Sequence, residues 1–228
     1  LAQELTNRLG ELPDLPAKFG FAIDADGPPQ LSAAPADIRI ETGPSGLIVR
    51  ADGSALGQSV TTDTAVDALI TIARWFSETC EPHIRRMAAH LVAVPLPDKF
   101  ANTASLETVN PLALGQLSQG RVFGASFGSL PADDLLELLR ENPTSTLTVT
   151  PFRMFILSGK ITPTDTRFIT SPDHPALNID ACPGAPACGA SHIETRALAR
   201  HLAPHLNGKS LHISGCTKGC ARPRTADV

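Results

Sequence analysis

The sequence has no long apolar run, no excess of positive charge and no recognisable secretory segment. Without an apolar run of about 20 residues, no bilayer-spanning helix is predicted. The net charge of −4 and the pI near 6.0 argue against general nucleic-acid binding, which depends on basic surfaces. We therefore expect no nucleic-acid partner and no membrane partner. Five cysteines without a secretory context favour a reducing compartment, which predicts a cytoplasmic protein.

The sequence also lacks an initiator methionine, because residue 1 is Leu, and it stops eight residues after Cys220. Both observations lead us to expect a fragment of a longer protein. The 228 residues, of which 42% are apolar, are enough to bury a substantial core in one or two domains.

Apolar periodicity in the first half of the chain predicts both helices and strands. Thr61 or Thr62 is expected to cap the start of the second predicted helix, and Pro82 suits the first turn of the third. The predicted strands are 19–23, 37–41 and 47–50, of which the last two form a hairpin, and the predicted helices are 1–12, 62–79 and 82–92.

A Pro-rich segment at 93–114 without periodicity is the candidate linker to a second half. Ser191 and Glu194 match the capping-box spacing, which predicts that a helix begins there. The elements predicted after the linker are strands at 121–127, 146–150, 154–157 and 211–213, and helices at 131–140 and 191–203.

Four of the five cysteines lie within 39 residues, as a C-x5-C pair followed by a C-x3-C pair. The first pair is wider than the usual zinc spacing, and the ferredoxin run C-x2-C-x2-C is absent. Thiolates select zinc, copper(I) or iron–sulfur, and a cubane cluster can take its ligands from two separated loops. The spacing therefore favours iron–sulfur and leaves zinc and disulfides or unrelated thiols open. Cys80 stands alone and is expected to act as a small, half-buried apolar residue.

The C-x5-C…C-x3-C pattern resembles the [4Fe–4S] signature of the nitrite and sulfite reductase superfamily. The segment LPAKF, followed by a predicted strand, resembles the superfamily segment that supplies a basic residue to the macrocycle pocket, and residues 120–159 resemble the second half of its ferredoxin-like domain. The resemblance implies an α+β fold with mixed sheets. Its three parts would be a truncated α/β domain at 1–108, a ferredoxin-like half domain at 109–165 and a truncated cluster domain at 166–228.

Within the superfamily, the segments LPAKFGFAID, PADIRI…GLIVRADG and TVTPFRMFILSG look most like precorrin-3B synthase, the monooxygenase of aerobic cobalamin biosynthesis. Siroheme reductases tend to have a second lysine where Gly20 stands, and commonly have Pro-Asn-Gly where this chain has Thr217-Lys218-Gly219. The resemblance implies hydroxylation of precorrin-3A at C20 by dioxygen with closure of a γ-lactone. The electrons would come from NADH through a reductase or donor protein. A siroheme-dependent sulfite or nitrite reductase and a non-catalytic, zinc-stabilised module are the alternatives.

The resemblance also implies a set of cofactors and their ligands. A mononuclear non-haem iron would handle dioxygen, whereas the alternative reductase would hold siroheme. His174 and His192 are weak candidates to ligate the mononuclear iron, and no residue is assigned a catalytic role. The [4Fe–4S] cluster would be ligated by Cys182, Cys188, Cys216 and Cys220.

A tetrapyrrole of either kind carries several carboxylates, so its pocket needs fixed cations despite the acidic total charge. Arginine is suited to carboxylates because its planar guanidinium can donate two parallel hydrogen bonds. The candidates are the basic residues beside the matched motifs, namely Lys18, Arg50, Arg153, Lys218 and Arg222.

Overall fold

The computed structural model describes residues 1–32, 34–107, 112–161, 168–222 and 224–228. The chain folds into two compact units, Leu1–Asn110 and Pro111–Val228. The domain boundaries predicted at 108/109 and 165/166 lie outside the described residues. Within the described ranges, none of the helices has the length and apolar character that crossing a membrane requires.

The first unit is built on a five-stranded mixed sheet with the strand order β1-β2-β3-β4-β5. The first two strands are parallel and the other pairs are antiparallel. Pro44 and Ser45 connect β2 to β3, which confirms the predicted hairpin. The strands are β1 (Phe21–Asp24), β2 (Ile38–Gly43), β3 (Gly46–Ala51), β4 (Leu56–Val60) and β5 (Thr103–Ala104).

Three helices accompany this sheet: α1 (Ala2–Asn7), α2 (Ala65–Thr79) and α3 (Met87–Ala93). The apolar stripe of α2 forms one core with the inward residues of β2 and β3, and Leu69 and Phe76 are almost completely buried there. Complete burial of such a side chain contributes about 1.5–3 kcal/mol. This packing explains why α2 could be recognised from its periodicity.

Two predicted helix starts in the first unit are wrong. Thr64, rather than Thr61 or Thr62, is the N-cap residue of α2, and its hydroxyl oxygen accepts from the Thr61 amide at 3.0 Å. Helix α3 begins at Met87 rather than near Pro82. The buried carboxylate of Asp37 accepts the Met87 amide at 2.8 Å, so a residue far away in sequence satisfies the first turn of α3.

The second unit contains a four-stranded antiparallel sheet with the order β6-β7-β9-β8 and the helix α4 (Ala132–Glu141). Its core is built on the stacked rings of Phe123 and Phe155, whose centroids lie 5.3 Å apart, together with Leu138 of α4. The predicted strand–helix–strand–strand order is confirmed. The strands are β6 (Gly115–Gln116), β7 (Gly120–Gly124), β8 (Leu147–Thr150) and β9 (Met154–Ser158).

The remainder of the second unit is a β–α–β arrangement. Strands β10 (Ile179–Ala181) and β11 (Leu211–Ile213) form a parallel pair, and α5 (Thr195–Leu202) lies between them in sequence. The capping-box prediction is wrong, because α5 begins at Thr195 and the Ser191 hydroxyl donates to the Ile193 carbonyl at 2.9 Å. The mixed sheets and helices confirm the predicted α+β class.

Candidate metal centre

Both cysteine pairs begin at the same edge of the β10–β11 pair. Cys182 follows the last residue of β10, and Cys216 follows β11 after a two-residue connection. Because the two strands are parallel, their carboxyl ends lie side by side, and the two loops leave the sheet together. The fold therefore brings together two segments that are far apart in the sequence.

Backbone hydrogen bonds join the two loops directly. The Gly215 amide donates to Cys182 Sγ at 3.3 Å, and the His192 amide donates to the Gly215 carbonyl at 3.1 Å. A side chain at position 215 would collide with Ser191, because an added Cβ would lie 2.7 Å from the Ser191 Cβ. Glycine is thus required at position 215 for the loops to approach this closely.

The surroundings of Cys182 stabilise a thiolate. Burial raises the pKa of the Cys182 thiol, but the hydrogen bond from the Gly215 amide lowers it, and the net shift is downward. The Thr195 side chain is completely buried, and its hydroxyl donates to the Cys182 carbonyl at 2.6 Å. A thiolate held by N–H donors is the form that binds soft metals.

The other three cysteines are more accessible than Cys182. Cys188 and Cys216 are partly buried, Cys220 is exposed, and all of them are free thiols. In the described part of the chain, no three His, Cys, Asp or Glu side chains are grouped closely enough to hold a metal ion. The thiol groups and the shared edge of the two loops suit a soft metal. Because the four sulfurs are not grouped in the structure, their assignment as ligands stays a prediction.

A cavity of about 170 Å³ connects the two cysteine pairs. Its lining includes Cys182 from the first pair and Cys220 from the second. Asp180, Arg153 and Arg196 also line it, so charged groups lie beside the two thiols.

Arg153 and Arg222, two of the predicted cations, meet at the carboxylate of Asp180. Arg222 donates to Asp180 Oδ2 at 2.9 Å, and a nitrogen of Arg153 lies 3.2 Å from Oδ1. Arg153 also donates to the carbonyls of Ile179 and Leu177 at 2.7 and 3.1 Å. The backbone of Arg153 has a positive φ of 59°. This conformation is energetically unfavourable for residues other than glycine and often occurs at functional sites.

The remaining predicted cations do not join this group. Lys218 is exposed in the second cysteine loop, and Lys18 is exposed in the first unit. Arg50, also in the first unit, donates two hydrogen bonds to Glu41 and lines a separate cavity of about 500 Å³. The roles predicted for these three residues in macrocycle binding stay predictions.

The two candidate histidines occupy ordinary positions. The Nδ1 atom of His174 accepts from the Ala176 amide at 3.2 Å and so caps a short 3-10 helix, while His192 is exposed. Sequence reasoning missed Arg196, which lies in the first turn of α5. Only Ser191 and Glu194 before it carried a signal, and they indicated a helix start rather than a binding residue.

Comparisons with known proteins extend this description. No protein-family model matches the chain. A precorrin-3B synthase from Sinorhizobium sp is 41% identical over 59 residues, which are 24% of this chain and 13% of that protein. The structure of the Mycobacterium tuberculosis NirA protein matches 99% of this chain with a TM-score of 0.67 and 18% identity, and this chain spans 52% of its length. The structural match shows that this chain shares the α+β fold of the corresponding part of NirA.

Proposed function

We propose that this chain is part of an iron–sulfur oxidoreductase that acts on a tetrapyrrole in the manner of precorrin-3B synthase. The observation that carries the proposal is the pair of cysteine loops at one edge of β10 and β11, joined by the hydrogen bond from Gly215 to Cys182. The 59-residue similarity to a precorrin-3B synthase and the fold shared with NirA support it. We also propose a cytoplasmic location, because a reducing compartment keeps cysteine ligands from forming disulfides.

In this proposal the cysteines hold a [4Fe–4S] cluster, which supplies one-electron transfer when it is bound. The Gly215 amide donates to Cys182 Sγ and lowers the pKa of this thiol, which favours the thiolate that a cluster needs. Asp180 anchors Arg153 and Arg222 beside the cavity. The cluster ligands would be Cys182, Cys188, Cys216 and Cys220.

The proposed reaction uses precorrin-3A, dioxygen and NADH. One oxygen atom enters the substrate at C20 and a γ-lactone closes, while two electrons from NADH and two protons reduce the other oxygen atom to water. The protein would contribute cations that bind and orient the substrate carboxylates. Arg153 is the predicted cation that lines the cavity beside the thiols.

The test is chemical analysis of the intact, anaerobically purified protein, followed by an activity assay. We expect acid-labile sulfide together with at least an equal amount of iron, any excess iron being the mononuclear iron, as well as no zinc and formation of the hydroxy-lactone from precorrin-3A with NADH and oxygen. Tightly bound siroheme, seen as red-shifted isobacteriochlorin bands, would instead indicate a sulfite or nitrite reductase. Zinc without iron or sulfide would identify a zinc-stabilised module and refute the proposal.

A further inference from the structure

The Arg196 side chain, which lies at the cavity beside the cysteines, has a guanidinium Nε atom without a partner among the described residues. It lines this cavity together with Cys182 and Cys220. Its Nε atom is buried and, among the described residues, has no hydrogen-bond partner. An unsatisfied buried donor is destabilising, so a ligand that accepts this hydrogen bond would gain the missing interaction.

The charges around the cavity favour an anion. Arg153 and Arg222 both pair with the single carboxylate of Asp180, which leaves one positive charge in that group. Arg196 adds another, because no ion pair joins it to the part of the chain that the structure describes. The three arginines and Asp180 together carry two positive charges, and such a group attracts anions.

The size of the cavity limits what can enter it. Pockets that enclose a whole drug-sized ligand have volumes of about 300–1,000 Å³. This cavity, at about 170 Å³, can take one carboxylate arm or a small free oxyanion rather than a complete macrocycle. The guanidinium of arginine matches the planar carboxylate, since it can donate two parallel hydrogen bonds.

We propose that Arg196 is an oxyanion-binding residue and that its ligand is one carboxylate of the tetrapyrrole substrate. This inference rests on the proposed function and adds a residue to its substrate site. It distinguishes Arg196 from Arg153 and Arg222, whose guanidinium groups Asp180 already engages.

The test compares Arg196→Gln with the wild type in the intact protein after cluster reconstitution. Uroporphyrin III, a tetrapyrrole with eight carboxylates, is titrated by absorbance, and sulfite is titrated separately by calorimetry. We expect Arg196→Gln to raise the Kd for uroporphyrin about tenfold or more, since hydrogen bonds to charged groups are worth more than about 1.4 kcal/mol. Arg196→Lys should retain part of the affinity because it keeps the charge.

Arg140→Gln is the matched control, because it removes the same charge from an exposed position on α4 in the same unit. It should leave both affinities unchanged. If Arg196→Gln weakens the binding of uroporphyrin, the ligand is a substrate carboxylate. If it weakens the binding of sulfite alone, the ligand is a free oxyanion and the tetrapyrrole is refuted as the ligand. Equal affinities of wild type, Arg196→Gln and Arg196→Lys in both titrations would overturn the inference.

Two further measurements keep this outcome separate from the proposed function. Iron and sulfide are determined in every sample, so a protein without iron counts against the proposed function. An iron-loaded protein whose affinities do not depend on Arg196 counts against this inference alone. Circular dichroism checks that each variant is folded.

Discussion

Cys80 and Cys182 are both shielded from solvent, yet their surroundings move the thiol pKa in opposite directions. Burial, followed by the charge of Glu81, raises the pKa of Cys80. The Cys80 sulfur lies 3.5 and 3.4 Å from the carbonyls of Glu81 and Ile84, which can accept a hydrogen bond but cannot stabilise a thiolate. Cys182 instead receives the Gly215 amide. The groups around each sulfur therefore distinguish the inert thiol of Cys80 from the candidate metal ligand Cys182.

Serine substitutions should reproduce this difference. We expect Cys220→Ser to lower the iron and sulfide content of the reconstituted protein severalfold, because a hydroxyl is a poor replacement for a thiolate ligand. Cys80→Ser, as the matched control, should leave the iron content unchanged. Iron and sulfide analysis with the visible spectrum measures both variants, and equal losses would show that the ligand set is misassigned.

His90 is a buried titratable group in the core of the first unit. Its ring lies against Trp75 and Phe76, with ring centroids 5.1 and 5.3 Å apart, and Nε2 is 2.9 Å from the Thr79 hydroxyl. Burial lowers the pKa of His90, so the folded protein excludes a proton that the unfolded chain binds.

The unfolding free energy of the first unit should therefore fall as the pH drops below about 6.5, the pKa of an unperturbed histidine. The slope attributable to His90 is at most about 1.4 kcal/mol per pH unit, reached only between the folded and unfolded pKa values. We expect His90→Gln, which can still reach Thr79, to reduce this dependence between pH 7.5 and 5.5. Urea unfolding followed by Trp75 fluorescence measures it, and identical pH dependence in both proteins would contradict the prediction.

The elements that sequence reasoning recovered are stabilised by their own residues. Helix α2 has an apolar stripe, and the β2–β3 hairpin has alternating strands around a Gly- and Pro-containing connection. The elements that it missed depend on distant partners. Strand β5, inside the segment predicted to be a linker, has two residues and pairs with β4, and β10 has three and pairs with β11. Strands of two or three residues carry little periodicity, although the equally short β11 was predicted at 211–213.

The same distinction applies to the candidate site. Cys182 and Cys220 could be selected from their spacing, since the spacing of metal ligands is a local property of a sequence. The role of Asp180 could not, because it depends on contacts with Arg153 and Arg222, 27 and 42 residues away in numbering. The comparison with NirA supports the fold and leaves the assignment of these site residues as predictions.

Through its contact with Arg222, Asp180 links strand β10 to the loop that carries the second cysteine pair. It lies on β10 two residues before Cys182, and its partner Arg222 lies two residues after Cys220. The Arg222 side chain is only 13% exposed, so the pair is partly screened from solvent. Loss of this contact should weaken the attachment of the second loop to the first, which the Gly215 hydrogen bonds also maintain.

We expect Asp180→Asn to lower the stability of the second unit by about 1.5–3 kcal/mol, the range for hydrogen bonds to charged groups. It should also speed the loss of iron to a chelator. Asp173→Asn, at an exposed position, is the control and should change neither quantity. In a double-mutant cycle, Asp180→Asn and Arg222→Gln should be coupled, and strictly additive effects would refute a direct contribution of the pair.

At the scale of the whole molecule, each unit has its own hydrophobic core. The largest core cluster consists of residues of the first unit, from Leu5 to Phe100. The second unit has two further clusters, one around Phe155 and one between α5 and the β10–β11 pair. The single tryptophan, Trp75, packs against the hydrophobic core of the first unit, so its fluorescence reports the unfolding of that unit. The absorbance of a bound iron–sulfur cluster would report the unfolding of the second unit.

Metal removal should therefore affect the two units unequally. A cluster bound only by the folded second unit stabilises it by mass action, and chelation removes this contribution. We expect the thermal unfolding of the second unit, followed by loss of cluster absorbance and by circular dichroism, to shift to lower temperature after chelation. The midpoint reported by Trp75 fluorescence should stay unchanged, because no predicted cluster ligand lies in the first unit. An equal shift of the Trp75 midpoint would show that the two units unfold together, since their cores would then share one cooperative transition.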